Sequence, residues 1–153
     1  MKTVKSIALV AHDNRKKDLA EWVSWNADIL AEHKMVCTGT TGKMIEKSLR
    51  EKNKDKKNIK IRKLKSGPLG GDQQLGAMIA EGKIDIIIFF WDPMEPQPHD
   101  VDVKALLRIA VLYNIPIANN RSTADFIISS ELFEDKYTPI LKDYSQYLNR
   151  NII

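Results

Sequence analysis

Apolar residues along this chain fall into two alternating kinds of run. Ser6–Ala11 is almost continuously apolar, the pattern of a strand buried on both faces of a parallel sheet, and it stops at His12-Asp13-Asn14. Over residues 14–32 the apolar positions Leu19, Trp22, Val23, Ile29 and Leu30 mix three- and four-residue spacings, which predicts one helix with a broad apolar face. A short strand, residues 35–37, runs into Thr38-Gly39-Thr40-Thr41-Gly42, read as a glycine-rich loop. Met44, Ile45, Ser48 and Leu49 then predict a helix that dissolves into a lysine run.

The same alternation continues to the end of the chain. A third strand over residues 59–64 leads into Ser66-Gly67-Pro68-Leu69-Gly70-Gly71-Asp72-Gln73-Gln74, where glycines permit positive φ and open a way to the backbone. The helix after Asp72 shows Leu75, Met78 and Ile79 on one face and stops at Gly82. Residues 84–91 form the most apolar strand, expected near the middle of the sheet, and end at Asp92-Pro93 and a proline-rich loop closing on His99-Asp100. A helix to about Tyr113, a strand over residues 115–118, a helix opening near Ser122-Thr123-Ala124-Asp125 and a terminal helix over residues 139–148 complete the pattern. Five strands separated mostly by helices predict an α/β fold, a doubly wound three-layer domain with a five-stranded, mainly parallel sheet. The length of 153 residues suits one such domain, residues 1–153.

Composition narrows the setting. Lys2 and Lys5 before a short apolar run imitate a secretory leader, but the run is too short and meets His12-Asp13, so it reads as the first strand. No stretch approaches the ~20 apolar residues of a membrane span. One cysteine, Cys37, excludes an intrachain disulfide, fits a reducing cytoplasmic setting and reads as a small buried hydrophobe. The net charge of +4 is local: residues 50–65 hold nine Lys/Arg against Glu51 and Asp55, a local +7, and the remainder carries −3. This segment lacks aromatic residues to stack bases and reads as a solvated helix end and connector, so no nucleic-acid partner is expected.

In a doubly wound sheet ligands bind outside the carboxyl ends of the strands. Every unusual polar cluster here follows a strand: His12-Asp13, Thr38 to Thr41, Ser66 to Asp72, Asp92 with His99, and Asn119 to Ser122. Thr38, Gly39, Thr40 and Thr41 before a helix, with Lys16 nearby, suit either a phosphate or a simple cap and turn. The acids Asp13, Asp72, Asp92, Asp100 and Asp102 would repel a phosphate on the same rim, so their presence needs a reason, and proton abstraction from carbon is a good one. Asp72 is equally readable as a helix cap. His12 and His99 could donate to a carbonyl or phosphate, His33 reads as exposed, and no metal-ligand spacing is present.

Taken together and in order, the segment Lys5 to Asp13, the Thr38 to Gly42 loop, Ser66 to Gln74, Ile87 to Pro93, Pro98 to Arg108 and Ser122 to Phe126 resemble the methylglyoxal synthase family. The resemblance implies a cofactor-independent enzyme that converts dihydroxyacetone phosphate to methylglyoxal and inorganic phosphate. It places the catalytic base at Asp72, with His99 and Asp102 as further catalytic groups and Asp102 assisting proton movement. Substrate contacts carry over to His12, Lys16, Thr38, Gly39, Thr40, Thr41, Ser66, Gly67 and His99, and Asp13 and Asp92 match further acidic positions. A homohexamer inhibited by phosphate is also implied, with Arg108 at a position tied to subunit communication. The basic segment and the C-terminal Asn149-Arg150-Asn151 depart from the family pattern. The mechanism expected from these positions keeps Asp72 ionised through neighbouring N–H groups and the helix dipole. His99 and the Gly67 to Gly71 backbone would stabilise the enediolate, and the Thr/Gly loop would hold the C–O bond out of its plane. Two rivals stand beside it: a ligand-sensing regulatory domain of the same fold, which has no need for Asp72, Asp102 and His99 together, and a nucleic-acid binder resting on the basic segment alone.

Overall fold

The computed structural model describes residues 1–53 and 59–150. Its strands are β1 (Ser6–Ala11), β2 (Lys34–Cys37), β3 (Lys60–Lys63), β4 (Ile86–Phe90) and β5 (Ile117–Ala118). Its helices are α1 (Lys16–Trp25), α2 (Ala27–Leu30), α3 (Gly39–Lys52), α4 (Gly71–Ala80), α5 (Asp100–Leu112), α6 (Arg121–Ile128), α7 (Glu131–Glu134) and α8 (Ser145–Leu148), with 3-10 turns at Asp13–Arg15 and Gly67–Leu69. The sheet order is β3-β2-β1-β4-β5 and every pairing is parallel. Ile7 sits opposite Met35 on one side and Ile86 on the other, so β1 holds the centre that the apolar run of β4 suggested for β4.

Strand periodicity explains the layers. In β1, Ile7, Leu9 and Ala11 point to one face, where they pack with Leu19, Trp22, Leu30 and Ile45 from α1, α2 and α3. Ala8 and Val10 point to the other, against Leu75, Ile79, Val103 and Leu106 from α4 and α5. A strand covered on both faces can be apolar at every position, which is why β1 and β4 read as unbroken runs. The edge strand β3 is instead Lys-Ile-Arg-Lys, and Lys63 and Arg50 both pair with Glu46. A charged edge discourages pairing with another sheet. Lys54, Asp55, Lys56 and Lys57 of the basic segment, and Asn151 of the C-terminal departure, lie outside the described residues.

Several boundaries differ from the sequence pattern for local reasons. The helix expected over residues 14–32 is split because Asn26 takes the Trp22 carbonyl with both its N–H and its Nδ2, ending α1 before α2 resumes. The Thr38 to Gly42 segment is mostly helix: Thr38 is the extended N-cap and α3 starts at Gly39. The terminal helix shrinks to α8, since the described residues leave Ile140, Leu141 and Leu148 mostly exposed and little apolar burial supports a longer helix. The pattern missed α7, a single turn capped by the Ser130 hydroxyl accepting the Leu132 N–H. Cys37 is fully buried, and burial pushes its thiol up to about 12. Among the described residues no helix is long and apolar enough to cross a membrane.

His33 is buried, where the sequence suggested exposure. Its Nδ1 accepts the Lys5 N–H at 3.1 Å and its ring meets Phe133 edge-on at 5.0 Å. Lys5 is itself fully buried, and its ammonium donates to the carbonyls of Lys2 and Asp135. A helix end looked like surface in the sequence, but α7 and the residues after it fold over it. Burial, then the Lys5 charge, holds the His33 imidazole below its ordinary 6.5, against opposing pulls from Glu32 and Glu134. The unfolded chain therefore binds more protons at His33, and stability falls as pH drops below 6.5 through the lowered folded value. His33→Ala is expected to cost about 1–3 kcal/mol by orphaning the Lys5 N–H, and to remove this acid-side decline, both read by denaturant unfolding across pH.

Candidate active site

The strand order reverses direction beside β1, with β2 and β3 on one side and β4 and β5 on the other. Loops leaving β1 and β4 must diverge at that point, and the crevice between them is where the fold has room for a ligand. A cavity of about 90 Å³ lies there, lined by His12, Asp13, Lys16, Thr38, Gly39, Thr40, Thr41, Ser66, Gly67, Asp72 and His99 among others. Its volume is well below the ~300–1,000 Å³ typical of drug-sized ligands, so it suits a small molecule.

One wall is cationic and rich in donors. Lys16 Nζ donates to Thr40 Oγ1 at 2.7 Å and to Asp13 Oδ1 at 2.5 Å. Pairing with Lys16 holds the Asp13 carboxyl below its ordinary range. Thr40 and Thr41 are in the first turn of α3, where N–H groups lack intrahelical acceptors and the helix dipole favours an anion. The Gly39 N–H is already spent on the Lys65 carbonyl at 3.0 Å, which stitches the α3 start to the Ser66 loop.

The opposite wall carries Asp72 and His99. Asp72 is 4% exposed in the first turn of α4, and His99 Nε2 lies 3.7 Å from its Oδ2. No hydrogen bond reaches Asp72 Oδ2 among the described residues, nor His99 Nδ1 or His12 Nε2. Burial raises the Asp72 carboxyl above its ordinary 3.8; the His99 charge opposes this and Asp102 adds to it. The neighbouring N–H groups expected to keep Asp72 ionised do not reach its Oδ2 among the described residues, and although Asp72 stands at the helix start as expected, desolvation dominates its shift.

His12 is oriented from behind. Its Nδ1 accepts the Asp92 N–H at 3.1 Å, so the proton of the neutral ring sits on Nε2, at the cavity. Burial, then the charge of His99, lowers the His12 imidazole below 6.5 and favours that neutral form. The ring also packs edge-on against Phe89 at 5.1 Å and His99 at 5.8 Å. Asp92 does not line the cavity: its carboxylate accepts the Met94 N–H and the Asn14 amide, which hold it below its ordinary range. Asp102 is half-buried in the first turn of α5, outside the lining but close enough to act on Asp72 through its charge. Arg108 is exposed farther along α5, away from the cavity.

Glycine makes the Asp72 wall possible. A Cβ on Gly67 would stand 2.8 Å from His99 Nε2 and 3.0 Å from Asp72 Oδ2, filling the space between them. One on Gly71 would stand 2.1 Å from the Lys65 carbonyl oxygen. Among Gly67, Gly70 and Gly71, only Gly70 uses a positive φ, of 98°. Gln97 is a lining residue that sequence reasoning passed over, although it belongs to the strand-end loop after β4. Among the described residues no group of three or more His, Cys, Asp or Glu could hold a metal ion.

The MGS-like domain family matches residues 18–119. The chain is 58% identical to the methylglyoxal synthase of Maridesulfovibrio salexigens, over 99% of this chain and 100% of that protein. It belongs to the methylglyoxal synthase family. The methylglyoxal synthase of Coxiella burnetii is 54% identical over 98% of this chain and 99% of its own. A crystal structure of methylglyoxal synthase from Elizabethkingia anophelis superposes with a TM-score of 0.89 at 52% identity, covering 100% of this chain and 95% of that one. The positions that the family motifs single out converge on the cavity, except Asp92, Asp102 and Arg108.

Two alanine substitutions separate clearance from folding. Gly71→Ala drives a Cβ into backbone and is expected to cost at least ~3 kcal/mol or prevent folding. Gly67→Ala meets only side-chain atoms and is expected to unfold within ~1 kcal/mol of the parent, with a crystal structure showing His99 and Asp72 pushed apart.

Proposed function

We propose that this chain converts dihydroxyacetone phosphate to methylglyoxal and inorganic phosphate within one catalytic domain. The observation that carries the proposal is a buried carboxylate, Asp72, whose Oδ2 receives no hydrogen bond among the described residues and faces the His99 ring, in a small cavity whose other wall is a helix N-terminus with Lys16 and Thr40. Asp72 removes a proton from the hydroxyl-bearing carbon next to the ketone. Burial raises its basicity, which a carboxylate needs for a carbon acid. Charge then develops on the carbonyl oxygen as an enediolate. His12 Nε2–H and His99 are the preorganised donors for it, and their unpaired ring nitrogens await such a partner.

The enediolate expels phosphate when its C–O bond stands out of the molecular plane, overlapping the π system. The hydroxyl on the deprotonated carbon loses its proton and becomes the aldehyde as the C–O electron pair leaves with phosphate, which takes up that proton. The phosphate charge is met by Lys16 and the first-turn N–H groups of α3, with Thr38, Thr41, Ser66 and Gly67 completing the enclosure. The resulting enolate takes the proton held by Asp72 on its terminal carbon, which becomes the methyl group of methylglyoxal. Asp102 influences the Asp72 charge and is assigned to that proton movement, while Asp13 pairs with Lys16 and the Asp92 N–H holds His12. Fixing the phosphate by a rigid helix end is what selects elimination over return of the proton. A regulatory, ligand-sensing module would need the phosphate wall alone. Burying Asp72 without a hydrogen-bond partner for its Oδ2 would then serve nothing.

Assembly into a homohexamer and inhibition by phosphate in a cytoplasmic setting belong to the same proposal. In support, Val101 and Val111 are exposed on the α5 face that carries Arg108, and Phe126, Ile140 and Leu148 are exposed elsewhere. Sedimentation of the full chain is expected to give a six-copy species; a monomer at micromolar concentration would refute that part.

Turnover of dihydroxyacetone phosphate, followed by methylglyoxal and phosphate release, tests the reaction. Asp72→Asn is expected to lower the rate by about 10²–10⁴. An ionised, raised-pKa carboxylate costs stability above its folded pKa, so the same substitution should raise the unfolding midpoint by a few degrees, on the order of 1 kcal/mol. The acid limb of kcat/KM should lie above the ordinary carboxylate 3.8, activity falling as pH drops through it. Wild-type protein that releases no methylglyoxal sinks the proposal.

A further inference from the structure

The turn after β1 carries a side chain that the proposed chemistry does not use and that bonds to the loop leaving β4. Asn14 Nδ2 donates to Asp92 Oδ2 at 3.1 Å and to Glu95 Oε2 at 2.5 Å. The other Asp92 oxygen, Oδ1, accepts the Met94 N–H at 3.0 Å, so both carboxylate oxygens are engaged. From the same residue the backbone N–H runs to His12 Nδ1 at 3.1 Å. The bonds form one series: the Asn14 amide holds the Asp92 carboxylate, and the Asp92 backbone holds the His12 ring.

That series has a chemical consequence at the cavity. A neutral imidazole has one ring proton, and the Asp92 N–H directs it to Nε2 by occupying Nδ1 as an acceptor. If the Asp92 backbone shifts, water replaces it at Nδ1 and can accept as well as donate. The two tautomers then become comparable, and fewer molecules present an N–H to a ligand. The consequence also reaches farther along the chain. Residues 92–99 are tied to the β1 turn through Asp92 and Glu95, and their far end sets Gln97 and His99 on the cavity wall. Pro93, Pro96 and Pro98 limit φ along this stretch, so displacement at the tied end is carried to the far end rather than absorbed by a flexible linker.

Resting on the reaction proposed above, we infer that Asn14 is a positioning residue, whose amide latches the loop leaving β4 and thereby holds His12 as an Nε2–H donor and Gln97 and His99 on the cavity wall. An aspartate at position 14 reverses the effect. Its carboxylate would face those of Asp92 and Glu95, repelling the two groups that the amide attracts.

The test uses Asn14→Ala and Asn14→Asp in the full chain. Three measurements are compared with wild type: kinetics with dihydroxyacetone phosphate, thermal unfolding, and ¹⁵N NMR of the His12 imidazole assigned by difference with His12→Gln. Asn14→Ala is expected to lower kcat/KM about tenfold, the scale of one net hydrogen bond, and Asn14→Asp further. The unfolding midpoint should move by no more than a few degrees. The His12 signals should move from the Nε2–H tautomer toward a mixture, which a merely structural role would not produce. An Asn14→Ala protein with wild-type kcat/KM, or with an unchanged His12 tautomer, overturns the inference. Wild-type protein that does not turn over would defeat the proposed reaction, and the NMR comparison alone would then decide the positioning role.

Discussion

A parallel strand with neighbours on both sides, whose chain connections leave in opposite directions, imposes an opening that packing cannot close. Here β1 is that strand, and the opening lies between its loop and the loop from β4. The two core layers, from α1, α2 and α3 on one face and α4 and α5 on the other, grip β1 from both sides. They hold the rim rigid while leaving its polar ends unfilled. His12 and Asp92 follow directly from the two strands that flank the gap, and the bond between them spans it. Asp72 and His99 arrive from α4 and the start of α5, the two helices packed on the same face.

Within that opening, one residue type is driven in different directions by its surroundings. Asp13 is exposed and paired with Lys16, and Asp92 is held by an amide and a backbone N–H, so both carboxyls stay in the low range. Among the described residues no hydrogen bond reaches the buried Asp72 Oδ2, which has only the His99 ring at 3.7 Å, and burial raises it. The difference is one of solvation and partner supply, and it sorts a group suited to accepting a proton from groups suited to holding the scaffold. His12 shows the complementary case: burial keeps it neutral, and a backbone N–H decides which nitrogen bears the proton.

The two walls are joined through backbone N–H groups, two of them bonded to backbone carbonyls and one to a side-chain amide. The Gly39 N–H reaches the Lys65 carbonyl, the Leu64 N–H reaches the Cys37 carbonyl, and the Lys65 N–H reaches Gln74 Oε1. These bonds tie the start of α3 to the segment that delivers Asp72. The spacing between the anion-favouring helix end and the buried carboxylate is therefore set by sheet register, with little dependence on rotamer freedom.

Much of this was legible in the amino-acid order. Unbroken apolar runs announced strands covered on both faces, mixed three- and four-residue spacings announced helices, and polar clusters after each strand marked one rim. The family motifs added which of those clusters belong together. Local competition hid the break at Asn26, and the helical start at Gly39 was hidden because Thr and Gly serve loops and first turns alike. The roles of His33, Asp72 and Asp92 were decided only in three dimensions. His33 became a buried acceptor because α7 folds over it, Asp72 lost the donors expected for it because the glycines beside it provide clearance, and Asp92 turned from the cavity toward Asn14. Periodicity along a chain reports which face a residue takes. Whether a polar atom on that face is hydrated, bonded or left without a partner depends on what distant segments bring to it, and that is a property of the tertiary structure alone.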